Sequence, residues 1–544
     1  MLPAISTTDT LRQNTGSWSY VIPVHQDNTP PCSHACPAGV DVNRFIQLIL
    51  AKKHRDAWEV LRESNPFPSV CGRVCYGPCE INCNRNAFDE PVSIRNLERF
   101  AGDWGSKNVP VKRMKTDPSK GDVAIVGAGP AGLSCAYHLI RKGYPVTVFD
   151  SMPKAGGMLR AGIPEYRLPR RVLDAEIKSI LDLGVKFRGR TKVGSDIDFS
   201  ELRKYSAVFV AVGRHKSRDL GIPGETISGV VSGRDFLREV NLGDRPTIRG
   251  KVAIIGGDNT AIDVARCVLR LGGKPVVFYS RSYEEMPAIR DEIREAEYEG
   301  TSMEFLSSPI EIRKRGRMLS LTVQKMKLGG KDEKGRRRLL EIKGSETVTP
   351  FRMIITAIGA EPNLDFLPDE IRRSRFGIDV DDLHQTSVPA VFAGGDACGT
   401  DKRAVAVAVG VGLRAAQAID EFISKRPLSL PETEPTVTHA TDLRLDYFEK
   451  KPAVSTKKTS DAVRLKSFRE VRIGLSEKEA VEEAKRCFSC GTCNACDNCW
   501  TFCPDTAIKK SNGKYVVNYS KCKGCGICVN ECPRHAIHLE SKHF

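Results

Sequence analysis

Three observations predict an α/β protein with two nested dinucleotide-binding units and a cysteine-rich domain at each end. The stretch Val123–Asp150 runs from an apolar strand through a Gly-rich turn and an amphipathic helix to a second strand that closes on an acid. Lys251–Ser280 repeats that design, with strand VAIIG, a turn, a helix and strand VVFYS. Of the 19 cysteines, six lie between Cys32 and Cys83 and ten between Cys487 and Cys532, so only Cys135, Cys267 and Cys398 fall in between. A chain of 544 residues makes several domains, since one core rarely grows past about 250–300 residues.

Composition narrows the function classes. No apolar run approaches the roughly 20 residues of a membrane helix, and the start MLPAISTTDTLRQ lacks the regions of a signal peptide, so no membrane span and a cytoplasmic location are expected. The formal charge of +16 treats every cysteine as neutral, and thiolates on clusters or a bound pyrophosphate would lower it. No nucleic-acid motif accompanies the charge, which reads as a basic, solvated surface suited to acidic partners. In a long chain without an export signal, clustered cysteines point to metal or iron–sulfur binding rather than disulfides.

Taken in order, residues 1–30 read as a polar, extended arm. Cys32-Ser-His-Ala-Cys36-Pro37 follows, then helical patterns through Phe45, Ile46, Ile49 and Leu50 and through Ala57, Trp58 and Leu61, which predict a small α domain. Asn65-Pro66-Phe67-Pro68 breaks the pattern before Cys71, Cys75, Cys79 and Cys83, whose four-residue spacing with Gly and Pro between suits turns that aim several sulfurs at one inorganic core. In Val123–Asp150, Gly127 makes the tight turn, Gly129 lets backbone approach a pyrophosphate and Gly132 lets helix pack on strand, while Asp150 sits where a ribose hydroxyl would bind.

These residues resemble a known family. The Cys-Pro pair, the segment NPFPSVCGRVC and the dinucleotide fingerprint behind it look like the small subunit of glutamate synthase, a module shared with dihydropyrimidine dehydrogenase and the large subunit of NADH-dependent ferredoxin:NADP oxidoreductase. The resemblance covers about residues 30–430. It implies FAD on the outer unit, NAD(P)H on the inner one and two [4Fe-4S] clusters in the N-terminal domain. For the cluster nearer the flavin it implies Cys36, Cys75 and Cys79 as ligands, with Glu98 of PVSIRNLER as the fourth. For the second cluster only Cys32, Cys83 and the extra Cys71 remain, because Val24 and Asp27 stand where the family has a C-x-x-C. Either that cluster is lost or a residue from outside completes it; Cys487-Phe-Ser-Cys490 has the missing spacing.

The same resemblance places Gly156-Gly157-Met158 and Gly162–Pro169 on a flavin-contacting loop, and so Gly157, Met158 and Arg167 on the flavin. The strand Ala207–Val212, ending in Gly213, closes the first half of the flavin domain. The inner turn contributes Gly256, Asn259 and Thr260, but Asp258 stands at the second glycine position. A carboxylate about 4 Å from a phosphate costs roughly 1–4 kcal/mol unless it turns away, so a weakened or vestigial nicotinamide site stays open. Arg281, at the end of the second strand, suits a 2′-phosphate, though Ser280 replaces the first of the two arginines of NADP-using relatives; the choice between NAD and NADP stays open. A basic stretch around Lys331–Arg338 reads as a solvated turn. Asp396 of VFAGGD takes the family's role of bonding the flavin's ribityl or phosphate region, with a helix from Ala404 through Ala416 behind it. No C-x-x-C or C-x4-C lies beside the flavin loops, so the lone Cys135, Cys267 and Cys398 read as buried small residues.

Residues 431–486 read as a linker with a docking helix over Glu477–Lys485. The end is a repeat, Cys493-x2-Cys496-x2-Cys499-x3-Cys503-Pro504 and Cys522-x2-Cys525-x2-Cys528-x3-Cys532-Pro533, and resembles the bacterial two-cluster ferredoxin. The fourth cysteine of each run ligates the other cluster, which groups Cys493, Cys496 and Cys499 with Cys532, and Cys522, Cys525 and Cys528 with Cys503.

The expected architecture is therefore two nested Rossmann-like dinucleotide-binding domains with an N-terminal α-helical iron–sulfur domain and a C-terminal α+β ferredoxin-like domain. Its expected divisions are 1–120 for the arm and helical domain, 121–245 and 353–430 for the two halves of the FAD domain, 246–352 for the NAD(P) domain, 431–486 for the linker and 487–544 for the ferredoxin domain. The expected function is an FAD-dependent NAD(P)H:acceptor oxidoreductase, the electron-transfer subunit of a hetero-oligomer whose partner is a catalytic redox subunit or a soluble ferredoxin. No general base or nucleophile is needed, and the functional residues position cofactors. Alternatives are a glutamate synthase small subunit and a non-catalytic electron-wiring scaffold.

Overall fold

The computed structural model describes residues 15–331, 333, 337–399, 403–427, 435–511 and 514–542. Its centre is a parallel sheet in the order Val391–Ala393, Ala207–Val210, Val123–Val126, Val146–Phe149 and Lys186–Arg188. The first four strands are apolar or nearly so and buried on both faces, as parallel strands covered by helices must be. The helices Pro130–Arg141 and Val405–Ile423 pack on each other because a Cβ at Gly412 would lie 2.3 Å from the carbonyl of Ala131.

A second parallel sheet is inserted between the strands Ala207–Val210 and Val391–Ala393, in the order Ser302–Phe305, Lys274–Tyr279, Lys251–Ile255, Met353–Thr356 and Val230–Ser232. The strands Val230–Ser232 and Met353–Thr356 lie outside the expected limits 246–352, yet both pair in this sheet. A short apolar run shows that a strand forms but not which of two like sheets it joins, so the alternation in sequence left both on the wrong side. An antiparallel sheet of Ser307–Arg315, Met318–Lys331, Arg337–Glu341 and Thr347–Phe351 extends this unit. The basic stretch Lys331–Arg338 joins two of these strands, with 332 and 334–336 outside the described residues.

The N-terminal domain is helical, as expected. Its helices Pro68–Val74 and Ile94–Asn108 cross at two glycines, where a Cβ on Gly72 would lie 2.5 Å from Arg99 N and one on Gly102 2.5 Å from Ser69 N. From residue 435 on, the segment expected as a linker is firmly packed. Ser476 and Glu479 form a reciprocal cap on the helix Glu477–Ala484, which buries Ala480 and Ala484 against the N-terminal helices. Glu483, fully buried, accepts from Ser93 N and Val454 N at 2.8 Å each and from Arg486 at 2.7 Å. The ferredoxin-like end carries the hairpin Ile508–Ser511 with Lys514–Val517. The arm supplies it with a strand: Val21–His25 pairs antiparallel with Ile537–Ser541. No helix among the described residues is long and apolar enough to cross a membrane.

Candidate functional site

A cleft opens at the C-terminal ends of the strands Val123–Val126 and Val146–Phe149, where open α/β sheets bind ligands, and is lined by Gly127, Asp150, Met152, Thr191, His215 and Phe366 among others. Gly127 has φ +107°, and its Cβ would lie 2.4 Å from Ala211 O; a Cβ on Gly132 would lie 2.0 Å from Gly127 O. Both glycines are required by the fold. Gly129 is not: its φ of −80° suits any residue, and nothing lies within 4 Å of a Cβ built there. That empty space faces the first turn of the helix Pro130–Arg141, whose N–H groups and dipole favour an anion, so the turn fits a flavin pyrophosphate. Gly157, at φ +48°, closes on it, a Cβ there falling 2.8 Å from the Cα of Gly129. Asp150 accepts from the backbone N–H of Ala128 and of Met152, 2.7 Å each, which leaves each oxygen a further acceptor position for a hydroxyl.

Asp396 sits on the short turn Gly395–Ala397 that follows the strand Val391–Ala393. Burial pushes its carboxyl up, and Arg403, Arg214, Arg234 and His215 oppose the shift. Arg214 Nε donates to the Asp396 carbonyl at 2.8 Å, and Arg234 donates to the Arg214 carbonyl with its Nη1 3.7 Å from the sulfur of Met158. Arg214, His215 and Arg234 were missed in the sequence because they lie in a stretch with no motif. Arg167 does not line the cleft. Its guanidinium is 2.7 Å from Asp263 and 3.6 Å from Glu292, while the preceding ring, Tyr166, lies under Arg270 and Arg266 at 4.0 and 4.6 Å. A buried cation takes the nearest carboxylates, so this half of the loop plugs into the inner unit, while Gly157 and Ala161 of the other half line the cleft.

At the inner turn, Asp258 has φ −90° and ψ 179°, the extended backbone that Gly129 adopts. Its carboxylate turns onto the helix Asn259–Arg270, accepting from Ala261 N at 3.1 Å as the N-cap. Burial pushes this carboxyl up, against hydrogen bonds from Ala261 and Thr260 and the charge of Arg234. Gly256 keeps φ +146°, with its Cβ position 2.1 Å from Ala357 O. Asn259 accepts from Ile289 N at 3.0 Å, and Arg281 is held by Glu285 at 3.3 Å and the Arg337 carbonyl at 2.7 Å.

The cysteines converge in four groups. Cys36, Cys75 and Cys79 surround Glu98, a partly buried carboxyl that desolvation pushes up to about 8 and to which Asn65 donates at 2.8 Å. Cys71 adjoins this group. Three thiols and a carboxyl brought together, Cys75 and Cys79 buried and Cys36 and Glu98 partly so, form a donor set that fits a cationic iron core. Cys32, Cys83, Cys487 and Cys490 line one pocket. Cys493, Cys496, Cys499 and Cys532 line another, and burial with the neighbouring thiols pushes Cys499 up to about 12. Cys528 rises likewise to about 12, beside Cys522, Cys503 and Cys525. Among the described residues no three such donors lie close enough for a single metal ion, whereas a cubane core holds its thiolates apart at separate corners.

Residues 121–413 match the model of the pyridine nucleotide-disulphide oxidoreductases. The chain belongs to that family. Residues 25–109 match dihydropyrimidine dehydrogenase domain II, 4Fe-4S cluster, and 515–538 match the 4Fe-4S binding domain. Similar curated proteins include the NADP(+)-dependent formate dehydrogenase subunit beta of Moorella thermoacetica, 39% identical over 85% of this chain and 70% of that one. The NADPH-Fe(3+) oxidoreductase subunit beta of Geobacter sulfurreducens is 36% identical over 85% and 75%. The NADPH glutamate synthase small chain of Escherichia coli K12 is 34% identical over 72% and 89%. The protein is thus an FAD- and NAD(P)H-dependent oxidoreductase with [4Fe-4S] domains at both ends. Within this family it has no dithiol at the flavin: Cys135, Cys267 and Cys398 are each buried, and burial raises each thiol.

Proposed function

We propose that this chain is the wiring subunit of an NADPH-linked hetero-oligomer, carrying electrons between the nicotinamide and a catalytic redox subunit or a soluble ferredoxin. A flavin held in this cleft would supply the chemistry that exchanges one hydride, an electron pair, with nicotinamide and single electrons with clusters. The chain's own residues hold the partners in line. One observation carries the reading: the helix Val405–Ile423 touches both the flavin turn and the cluster loop. A Cβ on Gly412 would meet Ala131 O at 2.3 Å, and one on Gly410 would meet Pro37 O, next to Cys36, at 1.8 Å. The two sites therefore share a wall only one helix thick.

The three relatives named above are NADP(H)-linked by name, which supports NADP(H), and Arg281 is the cation this chain offers to a 2′-phosphate. The beta-subunit names support a catalytic partner. The ferredoxin-like end favours that reading over glutamate synthesis, because the glutamate synthase small chain matches over only 72% of this chain. Anaerobic addition of NADPH or NADH to the full chain tests it. Flavin absorbance should bleach, faster with NADPH, and cluster absorbance should follow; a flavin left oxidised by an excess of both nucleotides overturns the reading and makes the chain a passive scaffold.

A further inference from the structure

We propose that Cys487 and Cys490 complete, with Cys32 and Cys83, a further [4Fe-4S] site that fastens the C-terminal domain to the N-terminal one. The four residues come from three separate segments and line one pocket. All four are free cysteines. Cys32 is flanked by Cys487, Cys83 and Cys490 together. The rest of the wall is largely apolar, including Ile46, Ile94 and Phe488, so the pocket excludes water as a cluster site does. Phe488 is itself clamped, with ring centroids 4.3 Å from Phe448 and 5.6 Å from Phe88. Ser489 adopts a left-handed φ of 54°, which wraps the Cys487–Cys490 turn around a common centre.

The same geometry explains why the N-terminal arm has no cysteines to give. Val24 pairs with His538 in the strand that the arm adds to the ferredoxin-like domain, and Asp27 accepts from Cys493 N at 3.0 Å. The arm is bound to that domain before it reaches Cys32. A turn that leaves the same domain, Cys487-Phe-Ser-Cys490, enters the space instead and is anchored by Gly491 N to Arg534 O at 2.7 Å and by Asn28 N to Gly491 O at 2.8 Å. Spacing also gives the site a place in the order of groups. Cys32 and Cys83 each lie four residues from a member of the flavin-side group, Cys36 and Cys79, and Cys490 lies three residues from Cys493 of the ferredoxin-like pair. The site is the intermediate step between them. It rests on the wiring reading for that role, but not for its existence.

Metal analysis of the anaerobically purified full chain is the test. Four cubane sites predict about sixteen iron and as many acid-labile sulfides per FAD in the native protein. The C487S/C490S double variant should hold about twelve, with its FAD content unchanged, and C135S should match the native protein. Native protein with about twelve iron, a double variant with undiminished iron, or stoichiometric zinc each overturns the proposal. If the double variant does not accumulate, the native iron count decides. None of these measurements uses a nucleotide, so a flavin that NADPH cannot bleach would refute the wiring function and leave this site standing.

Discussion

Gly129 and Asp258 hold the same backbone at the same point of two like turns, and what occupies the space beyond differs. Gly129 faces open space, so Gly129→Val should lower bound FAD at least tenfold while the apoproteins melt within a few degrees of each other; an unfolded variant would show that the fold, not the ligand, needs this glycine. Asp258 places a carboxylate on the helix donors that a pyrophosphate would use. Asp258→Asn keeps the cap and removes the charge, so it should tighten NADPH about tenfold, equivalent to about 1.4 kcal/mol, as measured by equilibrium titration. An unchanged affinity would mean that the carboxylate already stands clear of the nucleotide. His138 carries a pH dependence. Burial holds its pKa down to about 4 from 6.5, so the fold keeps it neutral. Its contribution is complete above pH 6.5 and is lost as pH falls toward 4, about 3 kcal/mol in all. His138→Gln should flatten denaturant-unfolding stability over that window; parallel curves would refute the assignment. At this scale the glycine fingerprint was legible because it is local backbone geometry. Arg167 was not: its partner Asp263 is 96 residues away, and nothing in the loop announces a buried ion pair.

At the scale of elements, the segment after residue 435 is a strap rather than a tether. Arg464 pairs with Glu299 at 2.9 Å and with Glu295, and Glu299 also holds Arg266 and Arg270 at 2.7–2.8 Å. Arg270 and Arg266 keep the Glu299 carboxyl down at about 2 despite its burial. Removing one partner leaves a buried charge short of compensation, so Arg464→Met should cost about 3–5 kcal/mol and expose 435–475 to protease while FAD stays bound; resistance equal to the native protein would contradict it. The composition of this segment suggested a loose linker because its contacts are with distant elements. The docking helix was readable as a short helix over Glu477–Lys485, and the cysteine runs from their spacing alone. The strands Val230–Ser232 and Met353–Thr356 were legible as strands but not as members of the inner sheet, since pairing is decided by neighbours far along the chain.

For the whole molecule, the two cysteine-rich ends are woven into one body. The arm adds a strand to the C-terminal domain, the capped helix docks on the N-terminal helices, and Cys487 and Cys490 enter the pocket of Cys32 and Cys83. The flavin cleft stands at one end of that series and the ferredoxin-like pair at the other. Freeze-quench electron paramagnetic resonance after anaerobic mixing with NADPH tests this order most directly, with each signal normalised to that of the dithionite-reduced sample. In the native protein the C-terminal cluster signals should appear as the flavin bleaches. In the C487S/C490S variant the flavin should still bleach while those signals lag by at least tenfold. Equal rates in the two proteins, or C-terminal clusters that dithionite reduces but NADPH never does, would contradict the account.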